Sequence, residues 1–122
     1  QIFAPMLIRN KSGRIINFSS LSVRLGIKGE SVYTASKAGV ESFSRTFARE
    51  LSDFNITVNC IAPGPIKTDL IRGVSEDKIK NIIKHQIFTK IFEAGNVVEQ
   101  VELLLSDNSK YLSGQVISLG GS

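Results

Sequence analysis

Tryptophan is missing from this sequence, and cysteine, histidine and methionine occur once each. The single thiol, Cys60, cannot close an internal disulfide. Even with the single imidazole of His85 it falls short of the roughly four ligands of a structural metal site. One histidine also excludes a multi-histidine centre and argues against a serine–histidine triad; nothing pairs with His85 by spacing, so it reads as a surface residue. No window approaches the roughly 18–20 uninterrupted apolar residues of a membrane span, and no signal-peptide series opens the chain. A soluble, cytoplasmic protein is therefore expected, with no membrane partner. Charge of neither sign dominates: the net value is +4, spread along the chain without stacking aromatics, which argues against a nucleic-acid partner. The densest basic run, Lys78, Lys80, Lys84 and Lys90, reads as the wet face of a helix.

What is present suffices for a core. Hydrophobic residues make up 42 % of the chain and charged ones 21 %, near the globular average and far from the disordered corner. A chain of 122 residues leaves room for one domain, 1–122, and shows no internal repeat, low-complexity tract or linker. It opens at Gln1 on an uncapped apolar run that reads as the tail of a helix. The expectation is an incomplete domain that continues upstream.

The periodicities give an alternating α/β order. Arg14–Ser19 is short, β-rich and preceded by the turn-like Lys11-Ser12-Gly13, which predicts a strand, and the polar Ser19–Glu30 stretch predicts a loop. Ala35, Gly39, Val40, Phe43, Phe47 and Leu51 recur at helical spacing over Val32–Asp53. Ile56–Ile61 predicts a second strand, broken by Pro63-Gly64-Pro65. Ser75 caps a lysine-rich helix reaching towards Phe92, with Ile79, Ile82, Ile83 and Ile87 on one face, and this helix is expected to cover the substrate. Asn96 with Glu99 suggests a capping box for a further helix, and Gln115–Leu119 is the last strand. Connections this long imply parallel pairing. Cys60, inside a strand, reads as a small buried hydrophobe, and Phe43 and Phe47 as core or subunit interface.

One motif carries chemistry. Tyr33-Thr-Ala-Ser-Lys37 places a phenol and an ammonium four residues apart, on one helix face. A nearby cation favours the phenolate form of a group that ordinarily titrates near ~10, which suits proton exchange at neutral pH. Ser20, thirteen residues before Tyr33, falls at the carboxyl end of a parallel strand, where open α/β sheets place their ligands. Ser19 and Ser22 compete with it for that role. Asn59-Cys-Ile-Ala-Pro-Gly-Pro-Ile-Lys-Thr68 ends the next strand on the same sheet edge.

In combination these residues resemble the classical short-chain dehydrogenase/reductase family, within it the subgroup that includes 3-oxoacyl-acyl-carrier-protein reductases. The resemblance rests on Gly-Arg-Ile-Ile-Asn-Phe-Ser-Ser, Tyr-Thr-Ala-Ser-Lys-Ala-Gly, Ile-Thr-Val-Asn-Cys-Ile-Ala-Pro-Gly and Tyr-Leu-Ser-Gly-Gln-Val-Ile. It implies the carboxyl-terminal part of a Rossmann-like doubly wound parallel sheet, three strands with flanking helices. It further implies an oxidoreductase that moves hydride between NADP or NAD, NADP slightly favoured, and a small or acyl-carrier-bound ketone in fatty acid biosynthesis. Ser20 would orient the carbonyl, with the family's spacing favouring it over its neighbours; Tyr33 would donate the proton; Lys37 would favour the phenolate and hold the nicotinamide ribose. Pro63, Gly64, Ile66 and Thr68 would line the nicotinamide side. A homo-oligomer, a homotetramer in the family's habit, would form through helix 32–53. The family's glycine-rich phosphate loop, its Asn-Ala-Gly segment, its cofactor-selecting residue and its further catalytic asparagine have no counterpart in these residues. A catalytically silent fragment or association module is therefore one alternative, and an epimerase or dehydratase of the extended subgroup another. Glu93-Ala-Gly-Asn-Val-Val also departs from the family's proline-acid-acid start, which touches only local capping.

Overall fold

Three parallel strands, β1 (Gly13–Phe18), β2 (Ile56–Pro63) and β3 (Val116–Leu119), lie in that spatial order in the computed structural model, which describes residues 12–67 and 73–122 together with Met6 and Arg9. The apolar run at the start of the chain otherwise lies outside the described residues, as does Thr68. The register sets Ile15 opposite Val58, Asn17 opposite Cys60 and Cys60 opposite Val116. The central strand β2 is buried from Ile56 to Ala62. A strand covered on both faces keeps even its polar side chains inside: Thr57 and Asn59, on one face of β2, are buried, and the Asn59 amide is satisfied there, donating to Leu112 O and accepting from the Gln115 N–H. Cys60 is fully buried in the same strand.

The long helix α2 (Ser31–Leu51) lies on this sheet, preceded by the one-turn α1 (Ser22–Leu25) and followed by a 3-10 turn, Ser52–Phe54. Its Phe47, Ala48 and Leu51 meet Ile56 and Val58 of β2 in the main core cluster, with Ile15 and Phe54 alongside. The two phenylalanines divide: Phe47 is buried, whereas Phe43 is 49 % exposed and stacks on it with ring centroids 5.1 Å apart. α1 corrects the expectation of an uninterrupted loop from Ser19 to Glu30. Its closing residue, Gly26, takes a left-handed conformation that glycine adopts without a Cβ penalty, and the Gly26 N–H donates to Ser22 O.

Two further helices follow, α3 (Glu76–Ile83) and α4 (Ala94–Leu105), and a 3-10 turn at Asp107–Ser109 leads to β3. Ser75 caps α3 as expected, its side chain accepting from the Lys78 N–H. The helix is shorter than the apolar spacing predicts, and Ile87 lies beyond it, 71 % exposed. Its continuation is overridden by tertiary hydrogen bonds: the N–H groups of Ile87 and Phe88 donate to Gly121 O and Gly120 O. The cap of α4 is also displaced from the expected Asn96–Glu99 pair. Glu93 is the N-cap and Asn96 the third helical residue, whose Oδ1 accepts from the Glu93 N–H at 2.9 Å. Among the described residues no helix is long and apolar enough to cross a membrane, and no cluster of metal-ligating side chains forms.

Candidate active site

The carboxyl end of β1 turns sharply through Ser19-Ser20-Leu21. The turn is anchored on both flanks: the Ser19 N–H donates to Ile61 O, the Leu21 N–H donates to Pro63 O, and Leu21 is buried. Three serines compete for one role in the sequence, and their surroundings separate them. Ser19 is 3 % exposed and its Oγ donates to Glu41 Oε1 at 2.6 Å. Ser22 is also buried; its N–H donates to Ser20 Oγ, and the two hydroxyls share a hydrogen bond at 2.8 Å. Ser20 is the partly exposed one, held by Ser22 and facing a cleft.

α2 brings the phenol to the same cleft. Tyr33, in its first turn, lines the cleft and is 47 % exposed. One turn on, Lys37 extends back over it, with Nζ 5.9 Å from the ring centroid and donating to Phe18 O at 3.2 Å. The backbone end of β1 thus fixes the ammonium beside the phenol. The cleft holds about 480 Å³, within the range of small-ligand sites. Pro63, Gly64 and Ile66, from the end of β2, form another wall.

The fourth side comes from α3. Ile79 and Ile82 face the cleft, and Lys78 Nζ pairs with Glu30 Oε1 at 2.6 Å, bridging α3 and the residue before α2. His85, Lys80, Lys84 and Lys90 are exposed as expected, although Lys90 lies beyond the end of α3 rather than on a wet face of it. Lys78 is the exception, because Glu30 draws it inward. This pair is invisible to sequence reasoning, since its members lie on elements that only the fold brings together.

The residues at the end of β2 fit the nicotinamide end of a dinucleotide. Ile66 bridges Phe92 in parallel fashion: the Lys67 N–H donates to Phe92 O and the Phe92 N–H to Pro65 O. In such a bridge the N–H and C=O of Ile66 itself point away from Phe92, and among the described residues neither has a backbone partner, one donor and one acceptor of the polarity a carboxamide needs. Gly64 is required from behind. A Cβ there would sit 2.0 Å from Gln86 Oε1, and Gln86 is buried with its Nε2 donating to Phe88 O and Lys90 O. Sequence reasoning passed over Gln86; a lone glutamine among lysines carries no signal of burial.

Comparison with known proteins agrees with this architecture. Residues 1–121 match a family model described as enoyl-(acyl carrier protein) reductase. A 3-oxoacyl-acyl-carrier-protein reductase of Staphylococcus epidermidis is 40 % identical over 122 residues, 99 % of this chain and 50 % of its own length. A short-chain type dehydrogenase/reductase of Picea abies is 39 % identical, over 97 % of this chain and 44 % of its own. The crystal structure of a 3-oxoacyl-acyl carrier protein reductase from Brucella melitensis superposes with a TM-score of 0.82 at 25 % identity, covering 96 % of this chain and 45 % of that one. The chain belongs to the short-chain dehydrogenase/reductase family of oxidoreductases, with a Rossmann-like sheet. It spans about half the length of the curated relatives it matches.

Proposed function

We propose that the protein to which these residues belong is an NAD(P)-dependent reductase acting on a carbonyl, with a 3-oxoacyl thioester, free or carrier-bound, as the favoured substrate class. The observation that carries this reading is the convergence of Ser20 and Tyr33 on one cleft, with Lys37 held beside the phenol. Ser20 Oγ donates to the carbonyl oxygen and orients it. Tyr33 Oη delivers a proton to that oxygen as the carbonyl carbon is reduced, and its half-exposed position lets the proton be replaced from solvent. Reduced nicotinamide, when bound, supplies the hydride. Pro63, Gly64 and Ile66 would shape its pocket, with Thr68 two residues further along the chain, and Lys37 and Tyr33 would hold its ribose. The product is the corresponding 3-hydroxyacyl thioester.

Residues 1–122 form one domain in this reading, the catalytic and substrate side of the enzyme. The protein is cytoplasmic and self-associates through α2. The names of the relatives support the carbonyl substrate. A second reading, reduction of an enoyl thioester, is favoured by the family model that the chain matches, which describes an enoyl-(acyl carrier protein) reductase. Both predict NADPH or NADH consumption and they differ in the bond reduced, so the native-length protein assayed with acetoacetyl-CoA and with crotonyl-CoA separates them. Oxidation of NADPH only with the ketone supports the first; oxidation only with the enoyl compound overturns it. Tyr33→Phe is expected to lower ketone turnover by about 10²–10⁴ while cofactor binding is kept. A variant retaining more than about half the activity removes Tyr33 from the role of acid.

A further inference from the structure

Three hydrogen bonds join the end of β1 to α2, two between side chains and one from a side chain to a backbone carbonyl. Asn17 Nδ2 donates to Ser44 Oγ at 2.8 Å, Lys37 Nζ donates to Phe18 O at 3.2 Å, and Ser19 Oγ donates to Glu41 Oε1 at 2.6 Å. Glu41 sits one turn after Lys37 and two turns after Tyr33, so the three form a stripe along one helix face. The proposed reaction uses the first two members of that stripe and leaves the third unexplained. Its carboxylate faces the sheet, close enough to Cys60 that it helps push the buried thiol upward, although burial is the larger cause.

We propose that Glu41 is a positioning residue for the carbonyl-orienting serine: by accepting from the buried Ser19 hydroxyl it ties the Ser19–Ser22 turn to the helix that carries Tyr33 and Lys37. This inference rests on the active-site reading given above. A hydrogen bond to a carboxylate is about twice as strong as one between neutral groups, and Ser19 is adjacent to Ser20. The Ser20 hydroxyl bonds only within the same turn, sharing a hydrogen bond with the Ser22 hydroxyl and accepting from the Ser22 N–H. The turn's backbone is pinned to β2 at Ile61 and Pro63, which fixes it against the sheet. The Glu41 bond ties the turn itself to the helix, one residue beyond the Lys37–Phe18 bond that ties the end of β1. Both reacting groups on the protein side are thereby referred to one rigid element. Apolar residues at position 41 would leave the Ser19 hydroxyl buried without this acceptor.

The test is a double-mutant cycle in the native-length protein, assayed for NADPH oxidation with acetoacetyl-CoA, with folding checked by circular dichroism and thermal melting. Glu41→Leu is expected to lower kcat by about tenfold or more, as misplacement of a catalytic group does, with KM for the ketone little changed. Glu41→Gln keeps an acceptor of the same length and is expected to stay within about threefold of wild type. Ser19→Ala should match Glu41→Leu, and the double variant should be no slower than either single one, because both remove the same tie. If Glu41→Leu does not fold, a folded Ser19→Ala carries the comparison: kcat lowered about tenfold or more with KM little changed supports the proposal. Losses that multiply, or a folded Glu41→Leu or Ser19→Ala with kcat within about twofold of wild type, overturn it. A Tyr33→Phe control separates the two levels: an inactive control beside an unaffected Glu41→Leu overturns this inference alone, and an active control overturns the site reading with it.

Discussion

Gly64 serves two neighbours at once, the cleft in front and Gln86 behind. The Gln86 amide is buried and tethered to two carbonyls, so it cannot swing away from an added methyl without giving up both bonds. Gly64→Ala is expected to destabilise the fold by about 1–3 kcal/mol, as overpacking does. Adding Gln86→Ala should cost less than the sum of the separate effects, which chemical denaturation of all three variants would measure. Cys60 offers a pH-dependent counterpart. Burial raises its thiol above the ordinary value of 9.0, so the folded state holds this proton more tightly than the unfolded one. The contribution is fully present below pH 9.0 and is lost as pH rises above it. Stability of the wild type should therefore fall more steeply above that pH than stability of Cys60→Ala, in unfolding curves collected side by side. Equal slopes would show that the thiol is not shielded. At this scale the sequence is informative where chemistry depends on spacing: Ser20, Tyr33 and Lys37 stand out because four residues make one helical turn. Glu41 and Gln86 do not, since a charge or an amide on a helix is ordinarily solvated and only tertiary placement turns it inward.

Among the elements, α3 is the one whose stability bears directly on the cleft. Eight residues make a helix too short to be stable alone, so its cap and its tie to Glu30 matter more than they would in α2. Ser75→Ala removes the acceptor for the Lys78 N–H and is expected to cost about 1 kcal/mol, seen as a raised KM before any loss of kcat. The Glu30–Lys78 pair is partly exposed, 34 % at Lys78 and 20 % at Glu30, and such pairs contribute about 0–1 kcal/mol. Lys78→Glu should raise KM by no more than about fivefold. The exchanged pair Glu30→Lys with Lys78→Glu should recover most of it, and the difference should shrink in high salt. Failure of the exchanged pair to recover KM would mean that Lys78 touches the ligand directly. The strands and α2 are legible in the sequence because their apolar periods agree with their final environment. The end of α3 is not, because Ile87 continues the helical period while its backbone N–H is claimed by Gly121. The glycine tail responsible lies more than thirty residues away in sequence, beyond the reach of any local pattern.

At the scale of the whole chain, an apolar side chain remains at the surface of α2. Phe43, half exposed beside buried Phe47, is the residue by which the helix would meet a second copy, and Phe43→Asp is expected to shift the native-length protein towards smaller species in sedimentation. The last expectation concerns dinucleotide affinity. Phosphates in such folds are held by free backbone N–H groups in a glycine-rich turn at a helix amino terminus. Among the described residues three amides of the turn after β1 are committed: Ser19 to Ile61 O, Leu21 to Pro63 O and Ser22 to Ser20 Oγ. The turn after β2 contains Pro63 and Pro65, which have no N–H to offer. Gly120 and Gly121 face the other way in effect, since their carbonyls accept from Phe88 and Ile87 and the Gly121 N–H donates to Ser118 O. What remains is the nicotinamide wall of Pro63, Gly64 and Ile66, a small part of the contact a dinucleotide makes. The 122-residue polypeptide, once shown by circular dichroism to fold, is therefore expected to bind NADPH with a Kd no tighter than about 0.1–1 mM, or about −4 to −5.5 kcal/mol. Titration followed by nicotinamide fluorescence measures it directly. Low-micromolar binding by this chain would place a phosphate cradle within these residues and require the assignment of the β1 and β2 turns to be revised.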